Sequence, residues 1–394
     1  MAGPPAPTAQ IPVGVGRVRF PAPHPRMGLA RFLQNGPRIV APASHARGPS
    51  EATRTHLAVG TVGLSGTPLA PIVMVATGRS GLGHLRRVTN IAMAMPPTAP
   101  PLILLANAGL AGLEDAETER FAQAELVERH QMSARARALG AGLVVVDTAV
   151  VPELAAIAAP LALILRESPA GELARFRLAG GREWDLVLVP NPPDWWRPSP
   201  AAVGARRVEA VGWIYRPAPQ RSPTGGPPRV LVASGGGGTV ETATRFGETV
   251  DLFIADLRRR MGMAVEIVQA IGPRAPQAGR LASADRTVDP GARLHDWFAA
   301  ADLVVTTAGY NSTLELALLD VPVLFVPIGR TYDDQAERAR RWAPALGAVL
   351  DPDDRPATVE WAASLLAARR RRPPASLGPS GAATAARLLR DLVR

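Results

Sequence analysis

The chain has 394 residues, of which 47% are apolar and 20% are charged, and it contains no cysteine. At about 150 residues per domain, this length fits two or three domains with large cores. The lack of cysteine excludes disulfides, thiolate metal sites and a cysteine nucleophile. The 44 basic residues, all arginine, exceed the 34 acidic residues and give a net charge of +10.

The arginines are not interleaved with aromatic residues along a stripe, so the sequence does not favour nucleic-acid binding. Their dense cluster, Arg369–Arg372, leaves two interpretations open. One is attraction of phosphate or of an anionic membrane surface, and the other, which we favour, is a solvated helix end. No apolar run approaches the roughly 18 residues of a membrane-spanning helix. We therefore expect a cytoplasmic protein, with peripheral contact at the inner face of the membrane as the open alternative.

Residues 1–68 mix Pro, Gly, Ala and Arg without a sustained period, and this composition predicts a loosely ordered leader. The segment lacks the apolar core that a secretory signal carries behind its charged start. A true start of translation at Met27 or Met74 is an alternative that the sequence leaves open.

From residue 69 to residue 215, short and almost continuously apolar runs alternate with helical stretches. Such runs are typical of strands buried on both faces of a parallel sheet, so the pattern predicts a doubly wound α/β domain. The predicted strands are 72–77, 102–106, 143–147, 161–166 and 186–190, and the predicted helices lie near 85–95, 114–138, 152–158 and 170–180.

Residues 216–228, RPAPQRSPTGGPP, are rich in Pro, Gly and Ser and predict a linker. The alternation then restarts, so residues 229–394 predict a second α/β domain. Its predicted strands are 230–233, 264–269, 303–307 and 321–327, with helices near 240–260, 293–300, 312–319, 333–342, 357–371 and 382–392.

The segment Thr77–Arg87, TGRSGLGHLRR, follows a predicted buried strand and opens a helix. Gly81 and Gly83 let the backbone turn sharply and approach a ligand, and the helix N-terminus favours an anion. His84 is expected at the carboxyl end of the sheet, where its imidazole can accept a proton from a hydroxyl or from water. The alternative is a helix-start histidine that only bonds the backbone.

Four glycines follow Ser234, directly after the predicted strand 230–233. Between a strand and a helix they predict an amide-rich cradle for phosphate, and Thr239 can cap the helix. The alternative is a mobile loop. The segment lacks the Lys-Ser/Thr end of a Walker loop, so γ-phosphate chemistry is not expected.

The stretch 301–316, ADLVVTTAGYNSTLEL, ends a strand near Gly309 and then starts a helix. Ser312 and Thr313 supply hydroxyls and amides that suit a diphosphate. Glu315 can accept two ribose hydroxyls, or it can close a capping box with Ser312.

After the predicted strand 321–327, Asp334 and Gln335 precede another helix. We interpret them as pointing toward the same cleft as Ser312, Thr313 and Glu315 and as bonding sugar hydroxyls there. The alternative is that the acidic residue only caps the helix.

The stretch ADLVVTTAGYNSTLELALLDVPVLFVPIGRTYDDQAERA resembles the C-terminal half of glycosyltransferases with the GT-B fold. Family 28, which includes the N-acetylglucosaminyltransferase that makes lipid II, is the most similar. The segment GLGHLRR is similar to the acceptor loop of that group, and the resemblance in architecture spans about residues 70–392. It implies two Rossmann-like domains facing a cleft, with the nucleotide-sugar held mainly by the second domain and the final helix crossing back to the first.

The resemblance also implies a role for each matching position. On the acceptor side, His84 is the implied catalytic base, beside Gly81, Gly83 and Arg87. On the donor side, the implied contacts are Ser234, Gly235 and Gly236 to phosphate, the backbone of Leu294 to the base edge, Gly309, Asn311, Ser312 and Thr313 to the diphosphate, Glu315 to the ribose, and Asp334 with Gln335 to the sugar. GT-B enzymes usually need no bound metal, so we expect no metal and no cofactor beyond the donor as co-substrate.

Three departures separate the chain from the lipid II enzyme. Arg79 and Ser80 interrupt the glycine stretch before the histidine, Asn311 stands where glycine is usual, and Asp334 replaces the first glutamine of a Gln-Gln pair. The chain is in these respects more similar to a group of predicted bacterial glycosyltransferases and to the UDP-sugar hydrolase of pseudaminic acid synthesis.

We therefore expect a metal-independent, inverting transferase. It would move a hexose or N-acetylhexosamine from a nucleotide-sugar, with uridine as the expected base, to an acceptor hydroxyl that the sequence does not identify. A hydrolase that uses the same donor site, with water activated by His84, and a non-catalytic nucleotide-sugar-binding module are the alternatives.

Overall fold

The computed structural model describes residues 69–78, 82–148, 151–219, 225–234, 239–262, 264–272, 275, 277–329 and 333–393. The predicted leader, residues 1–68, lies outside these residues. The described chain forms two parallel sheets, one of seven strands and one of six. The prediction of two doubly wound α/β sheets is therefore confirmed.

The first sheet is made of short strands whose inner members are completely buried. They are β1 (Ile72–Ala76), β2 (Leu102–Ala106), β3 (Gln123–Leu126), β4 (Leu143–Asp147), β5 (Leu161–Ile164), β6 (Leu186–Val189) and β7 (Val208–Ala210). Their order is β3-β2-β1-β4-β5-β6-β7. The order reverses between β1 and β4, so the loops after these two strands open a crevice at the carboxyl edge.

The helices of this half are α1 (Gly83–Met93), α2 (Asp115–Glu119), α3 (Met132–Ala138) and α4 (Pro200–Val203). The predicted helix 114–138 is wrong, because only its two ends are helical and strand β3 lies between them. Strand β3 is an exposed edge strand without the apolar run that marks the inner strands, so its pattern did not separate it from a helix. The predicted helices 152–158 and 170–180 are 3-10 segments, which commonly serve as short connectors.

The second sheet repeats the same topology. Its strands are β8 (Arg229–Ala233), β9 (Glu266–Ala270), β10 (Arg286–Val288), β11 (Leu303–Thr306), β12 (Val323–Phe325) and β13 (Gly347–Val349), and its order is β10-β9-β8-β11-β12-β13. The accompanying helices are α5 (Val240–Met261), α6 (Leu294–Ala300), α7 (Tyr310–Ala317), α8 (Gln335–Leu346), α9 (Arg355–Ala367) and α10 (Ala382–Asp391). The order reverses between β8 and β11, which opens a second crevice.

Helix α10 packs on the first sheet although it follows the second sheet in sequence. Its Ala385 and Leu389 are fully buried in one apolar core with Ile72 of β1 and Val88 of α1. Nothing among the described helices is both long enough and apolar enough to cross a bilayer.

Candidate active site

A histidine–aspartate pair lies at the crevice of the first sheet. His84 is the second residue of α1, and Asp147 ends β4, the neighbour of β1. The His84 Nδ1 atom lies 2.7 Å from Asp147 Oδ1. Because an ionised carboxylate only accepts hydrogen bonds, Nδ1 carries the proton and Nε2 keeps its lone pair. The His84 side chain is 24% exposed, so an incoming hydroxyl or water can reach it.

Asp147 is a completely buried anion with four hydrogen bonds. Besides His84, its Oδ1 accepts from Arg87 Nη2 at 2.6 Å and from Thr148 Oγ1 at 2.8 Å, and its Oδ2 accepts from Arg87 Nε at 2.8 Å. Burial alone would raise the pKa of Asp147, but the Arg87 guanidinium and His84 outweigh it and hold this pKa well below its usual range. Asp147 therefore stays ionised and fixes the tautomer of His84.

Two neighbours hold this pair in place. Arg87, which the resemblance assigned to the acceptor side, is only 2% exposed, and its guanidinium faces Asp147 and lies over the Tyr310 ring. Thr148 has a φ of 58°, a left-handed conformation that strains a β-branched residue. Its hydroxyl bonds both Asp147 and the Ile164 carbonyl, and these bonds stabilise the strained turn.

Helix α7 brings its N-terminus directly against this site. The Asn311 Nδ2 atom donates to the Gly83 carbonyl at 2.9 Å, next to His84 in sequence. Tyr310 is buried and bonds the Pro190 carbonyl and the Ile214 amide from the other half. Helix α7 starts after Gly309 with no side-chain cap, so its first amides face the crevice without a partner inside the helix. This arrangement can bind an anion beside His84.

Glu315 does not form the capping box considered from the sequence, because α7 begins at Tyr310 rather than after Ser312. Its Oε1 instead accepts a hydrogen bond of 3.1 Å from Arg216 Nε. Both side chains are nearly buried, at 11% and 12% exposure. Burial raises the pKa of Glu315 above its usual value, although the guanidinium of Arg216 opposes the change.

The remaining predicted donor residues lie around the second crevice and differ in how deeply they are buried. Ser234 is buried at the end of β8, and its carbonyl accepts from Thr307 Oγ1 at 3.4 Å. Leu294 begins α6 and packs partly against the second core, and Thr313 is completely buried. The predicted residues Gly81, Gly235 and Gly236 lie outside the described part of the chain.

Asp334 and Gln335 bond their own loop. Asp334 is exposed and caps α8 by accepting from the Glu337 amide at 3.0 Å, which is the alternative considered from the sequence. Gln335 is buried, accepts weakly from the Ile328 amide and donates to Asp333. Neither contact reaches the other half of the molecule, and a role at the donor sugar stays a prediction for both residues.

Asp333, one position earlier, does reach the other half. It pairs with Arg166, which follows β5, at 2.5 Å, and with Arg338 of α8 at 2.8 Å. Arg338 also pairs with Glu167 at 2.7 Å and is 3% exposed. The two arginines outweigh burial and lower the pKa of Asp333. This buried network joins the two halves beside the crevice.

Aromatic side chains fill the junction between the halves. Trp195 stacks edge-on against Trp213 with ring centres 5.0 Å apart, and it also contacts Trp342 of α8. Trp196 packs instead on the core of the first half. Trp195 therefore belongs to the junction between the halves, whereas Trp196 belongs to the core of the first half.

The arginine cluster is not a helix end, because α9 ends at Ala367. Arg371 donates to the Ala301 carbonyl at 2.7 Å, and Arg372 donates to the Val321 carbonyl at 2.9 Å. Burial lowers the pKa of Arg372 to about 10. Two of the four arginines are therefore held inside the structure, which leaves Arg369 and Arg370 exposed.

An open cavity of about 480 Å³ lies beside the turn before α6, lined by Glu114, Asp115, Arg293, His295 and Asp296. Burial, with the Arg216 guanidinium, lowers the pKa of His295 to about 4, so this imidazole is neutral at pH 7. Among the described residues, no three His, Asp or Glu side chains converge as metal ligands. Metal independence stays a prediction.

Sequence reasoning missed Asp147 and Arg216. Asp147 had a usable signal, because it is an acidic residue at the end of an otherwise apolar strand. Arg216 had none, since it begins the predicted linker and its partners lie 76 and 99 positions later in the chain.

No protein-family model matches the chain, and no curated protein matches it either. Several solved structures share its fold. The glycotransferase of kitacinnamycin is 17% identical, with 83% of this chain and 100% of that chain covered and a TM-score of 0.52. Acinetobacter baumannii MurG is 12% identical, with 82% and 99% covered and a TM-score of 0.50. S. aureus MnaA in complex with UDP is 11% identical, with 80% and 94% covered and a TM-score of 0.52. The chain therefore has the GT-B fold that the resemblance implied.

Proposed function

We propose that this protein is a glycosyltransferase that moves a sugar from a nucleoside diphosphate to an acceptor hydroxyl. The hydrogen bond from Asn311 to the Gly83 carbonyl carries the proposal, because it brings the uncapped N-terminus of α7 next to His84. One half of the molecule thus supplies a base and the other half an anion site. Displacement of a diphosphate by a hydroxyl requires these two groups side by side. The GT-B fold, shared with the kitacinnamycin glycotransferase, supports the same reaction.

In this mechanism His84 Nε2 takes the proton of the acceptor hydroxyl while its oxygen bonds the anomeric carbon. The bond from that carbon to the diphosphate oxygen breaks, and the diphosphate leaves with the electron pair. Attack from the opposite face inverts the anomeric centre. Asp147 stabilises the imidazolium, and the amides and dipole of α7 stabilise the leaving charge. A general base of this kind contributes about 10²–10⁴-fold to the rate.

The donor proposed here is a UDP-sugar carrying a hexose or an N-acetylhexosamine. The GT-B fold shared with MnaA, whose structure contains UDP, supports a uridine nucleotide. We assign the base edge to the backbone of Leu294, the diphosphate to Ser312 and the neighbouring amides of α7, and the ribose to Glu315. No metal and no cofactor enter the proposal, and the acceptor is left unassigned.

The test is release of UDP from a panel of UDP-sugars, measured with and without a panel of acceptor alcohols. We expect acceptor-dependent release. The His84→Ala variant should lower turnover by about 100-fold or more with its Kd for UDP nearly unchanged. The matched control is His130→Ala, since His130 is exposed in a 3-10 turn, and it should behave as wild type.

Two results would redirect the proposal. Steady UDP release without any acceptor, lost in His84→Ala, would indicate a hydrolase that uses the same base on water. Nucleotide binding with no turnover in wild type would indicate a binding module.

A further inference from the structure

The guanidinium of Arg216 joins three separate parts of the molecule. Its Nε atom donates to Glu315 of α7 at 3.1 Å, and its Nη1 atom donates to the Ala292 carbonyl at 3.2 Å. The same Nη1 lies 3.5 Å from Glu114, which belongs to the first half. Because the Arg216 and Glu315 side chains are 12% and 11% exposed, water screens their contact little, whereas Glu114 is 47% exposed and its attraction is screened.

A second guanidinium meets the first at the Ala292 carbonyl. Arg86 of α1 donates to this oxygen at 3.1 Å, and both oxygens of Glu117 hold Arg86 at 2.5 and 2.6 Å. Ala292 stands two residues before Leu294, the position assigned to the base edge. The turn before α6 is therefore held by two guanidiniums, that of Arg86 and that of Arg216. The Arg216 guanidinium also donates a hydrogen bond to Glu315.

We propose that Arg216 is a positioning residue that sets the ribose selectivity of the donor site by holding Glu315 at a fixed distance from the turn at residues 291–293. The inference rests on the proposed function, because it takes Glu315 as the acceptor for ribose hydroxyls. It adds a residue from the segment between the two halves to that site. It also states what the residue controls, namely the preference for a ribose over a 2′-deoxyribose.

The physical reason lies in what a buried carboxylate needs. Among the residues that the structure describes, Glu315 has one cationic partner within hydrogen-bond distance, and this guanidinium both orients its Oε1 and favours its ionised form. Without Arg216 the carboxylate is free to rotate, and burial favours the neutral acid, which is a weaker acceptor for a sugar hydroxyl. A hydrogen bond from a hydroxyl to a charged group contributes about 1.5–3 kcal/mol, or roughly 10- to 100-fold in affinity.

The experiment compares the Kd of UDP with that of 2′-deoxy-UDP by calorimetry, and repeats the comparison with GDP and 2′-deoxy-GDP so that the result does not depend on the base. Wild type should prefer the ribonucleotide by about 10-fold or more. Arg216→Met should bind the ribonucleotide more weakly and reduce the preference to about threefold or less, with a smaller loss for 2′-deoxy-UDP, which keeps only its 3′-hydroxyl for Glu315. Arg216→Lys, which keeps the charge, should recover part of the preference.

Two further variants separate positioning from general damage. Glu315→Gln should lose the same preference, and the double variant should be no worse than either single variant, because both changes remove one interaction. The control is Arg206→Met, since Arg206 pairs with Asp185 at the surface and is 68% exposed. This control should keep the wild-type preference.

Distinct results overturn the inference and the proposed function. If Arg216→Met weakens ribose and deoxyribose nucleotides equally, or if both Arg216 variants keep the wild-type preference while Glu315→Gln loses it, Arg216 does not position Glu315. If wild type shows no preference, the inference fails at Glu315 itself. If wild type binds no nucleoside diphosphate, the proposed function fails as well.

Discussion

Asp147 and Glu315 are both nearly or completely buried carboxylates beside an arginine, yet burial has opposite outcomes at the two positions. At Asp147 the guanidinium of Arg87 and His84 outweigh burial, and the pKa falls. At Glu315 burial outweighs the guanidinium of Arg216, and the pKa rises. The charges beside the two groups differ: Asp147 faces Arg87 and His84, whereas at Glu315 the Arg216 and Arg86 guanidiniums do not outweigh burial, and the Glu117 carboxylate adds to it. Among the described residues Asp147 accepts four hydrogen bonds, and Arg216 supplies one of 3.1 Å to Glu315.

This contrast fits the different roles proposed for the two groups. A carboxylate that orients a base has to stay charged throughout the reaction, so its partners belong to the protein. A carboxylate that binds a ligand gains its missing donors from that ligand. Within the described part of the chain, the single hydrogen bond to Glu315 therefore supports a binding role, and the four hydrogen bonds to Asp147 support a structural and catalytic role beside His84.

The largest expected effect is that of Asp147→Asn. The change leaves the buried Arg87 guanidinium without a counter-ion and should cost about 3–5 kcal/mol in the free energy of unfolding. Turnover at a temperature where the variant is folded should fall about 100-fold or more, because the amide no longer selects the His84 tautomer. Urea unfolding at pH 7.5 and UDP release measure the two effects.

The matched control for this change is Asp391→Asn. Asp391 is an exposed carboxylate at the end of α10 that pairs with Arg387 one turn away, so the change should stay within about 0.5 kcal/mol of wild type. An Asp147→Asn variant as stable as this control would mean that Arg87 and Asp147 are not a tight buried pair.

Glu315→Gln should not lower the free energy of unfolding, in contrast to Asp147→Asn. The neutral amide avoids the cost of a buried charge, so this variant should equal wild type or exceed it by up to about 1 kcal/mol in unfolding free energy at pH 7.5. The same urea titration measures it. A loss as large as that of Asp147→Asn would show that the Arg216 contact stabilises the fold and would remove the contrast between the two sites.

Lowering the pH should distinguish the two carboxylates, because their pKa shifts predict opposite changes of the unfolding free energy with pH. Asp147, with its depressed pKa, stabilises the fold above its unfolded pKa of about 3.9 and loses that contribution as the pH falls below it. Glu315 has a raised pKa, so on acidification it takes up its proton in the folded state before it does so in the unfolded state. The free-energy cost of burying its charge therefore shrinks as the pH falls toward the unfolded pKa of about 4.3. We expect this in urea unfolding of wild type and both variants from pH 7.5 to 3. As the pH falls, the difference in unfolding free energy between wild type and Glu315→Gln should disappear before the difference between wild type and Asp147→Asn does.

His295 provides a separate test, beside the same guanidinium as Glu315. Its pKa of about 4 lies below the unfolded value of about 6.5, so the unfolded chain binds the proton first on acidification. Wild type should therefore lose stability as the pH falls from about 6.5 to 4, and His295→Asn should show a flatter profile over this window. Equal slopes would indicate that His295 is not held neutral by its surroundings.

The sequence predicted both sheets because their inner strands are apolar runs such as Ile72–Ala76 and Leu303–Thr306. The edge strands escaped prediction because they are short and exposed, as Gln123–Leu126 is. The position of His84 at the carboxyl edge followed from its place shortly after the predicted strand 72–77, at the start of a helix. The contact between His84 and Asp147 could not be predicted in this way, because it depends on the pairing of β1 with β4, two strands far apart in the chain.

The fine structure of the second crevice was harder to predict. The start of α7 at Tyr310 depends on burial of that side chain between the halves, and this placement removes the capping box at Ser312. The Arg216 contacts depend on the mutual position of both halves and the segment between them. Such long-range contacts leave no periodic pattern in the residues themselves.

Helix α10 has a consequence for biosynthesis. The core around β1 includes Leu389, so it cannot close until residues 382–391 have left the ribosome. At roughly 5–20 residues per second, translation from β7 to α10 takes on the order of ten seconds or more. During this interval the nascent first half keeps an apolar surface uncovered, which makes it a natural client for chaperones at the exit tunnel.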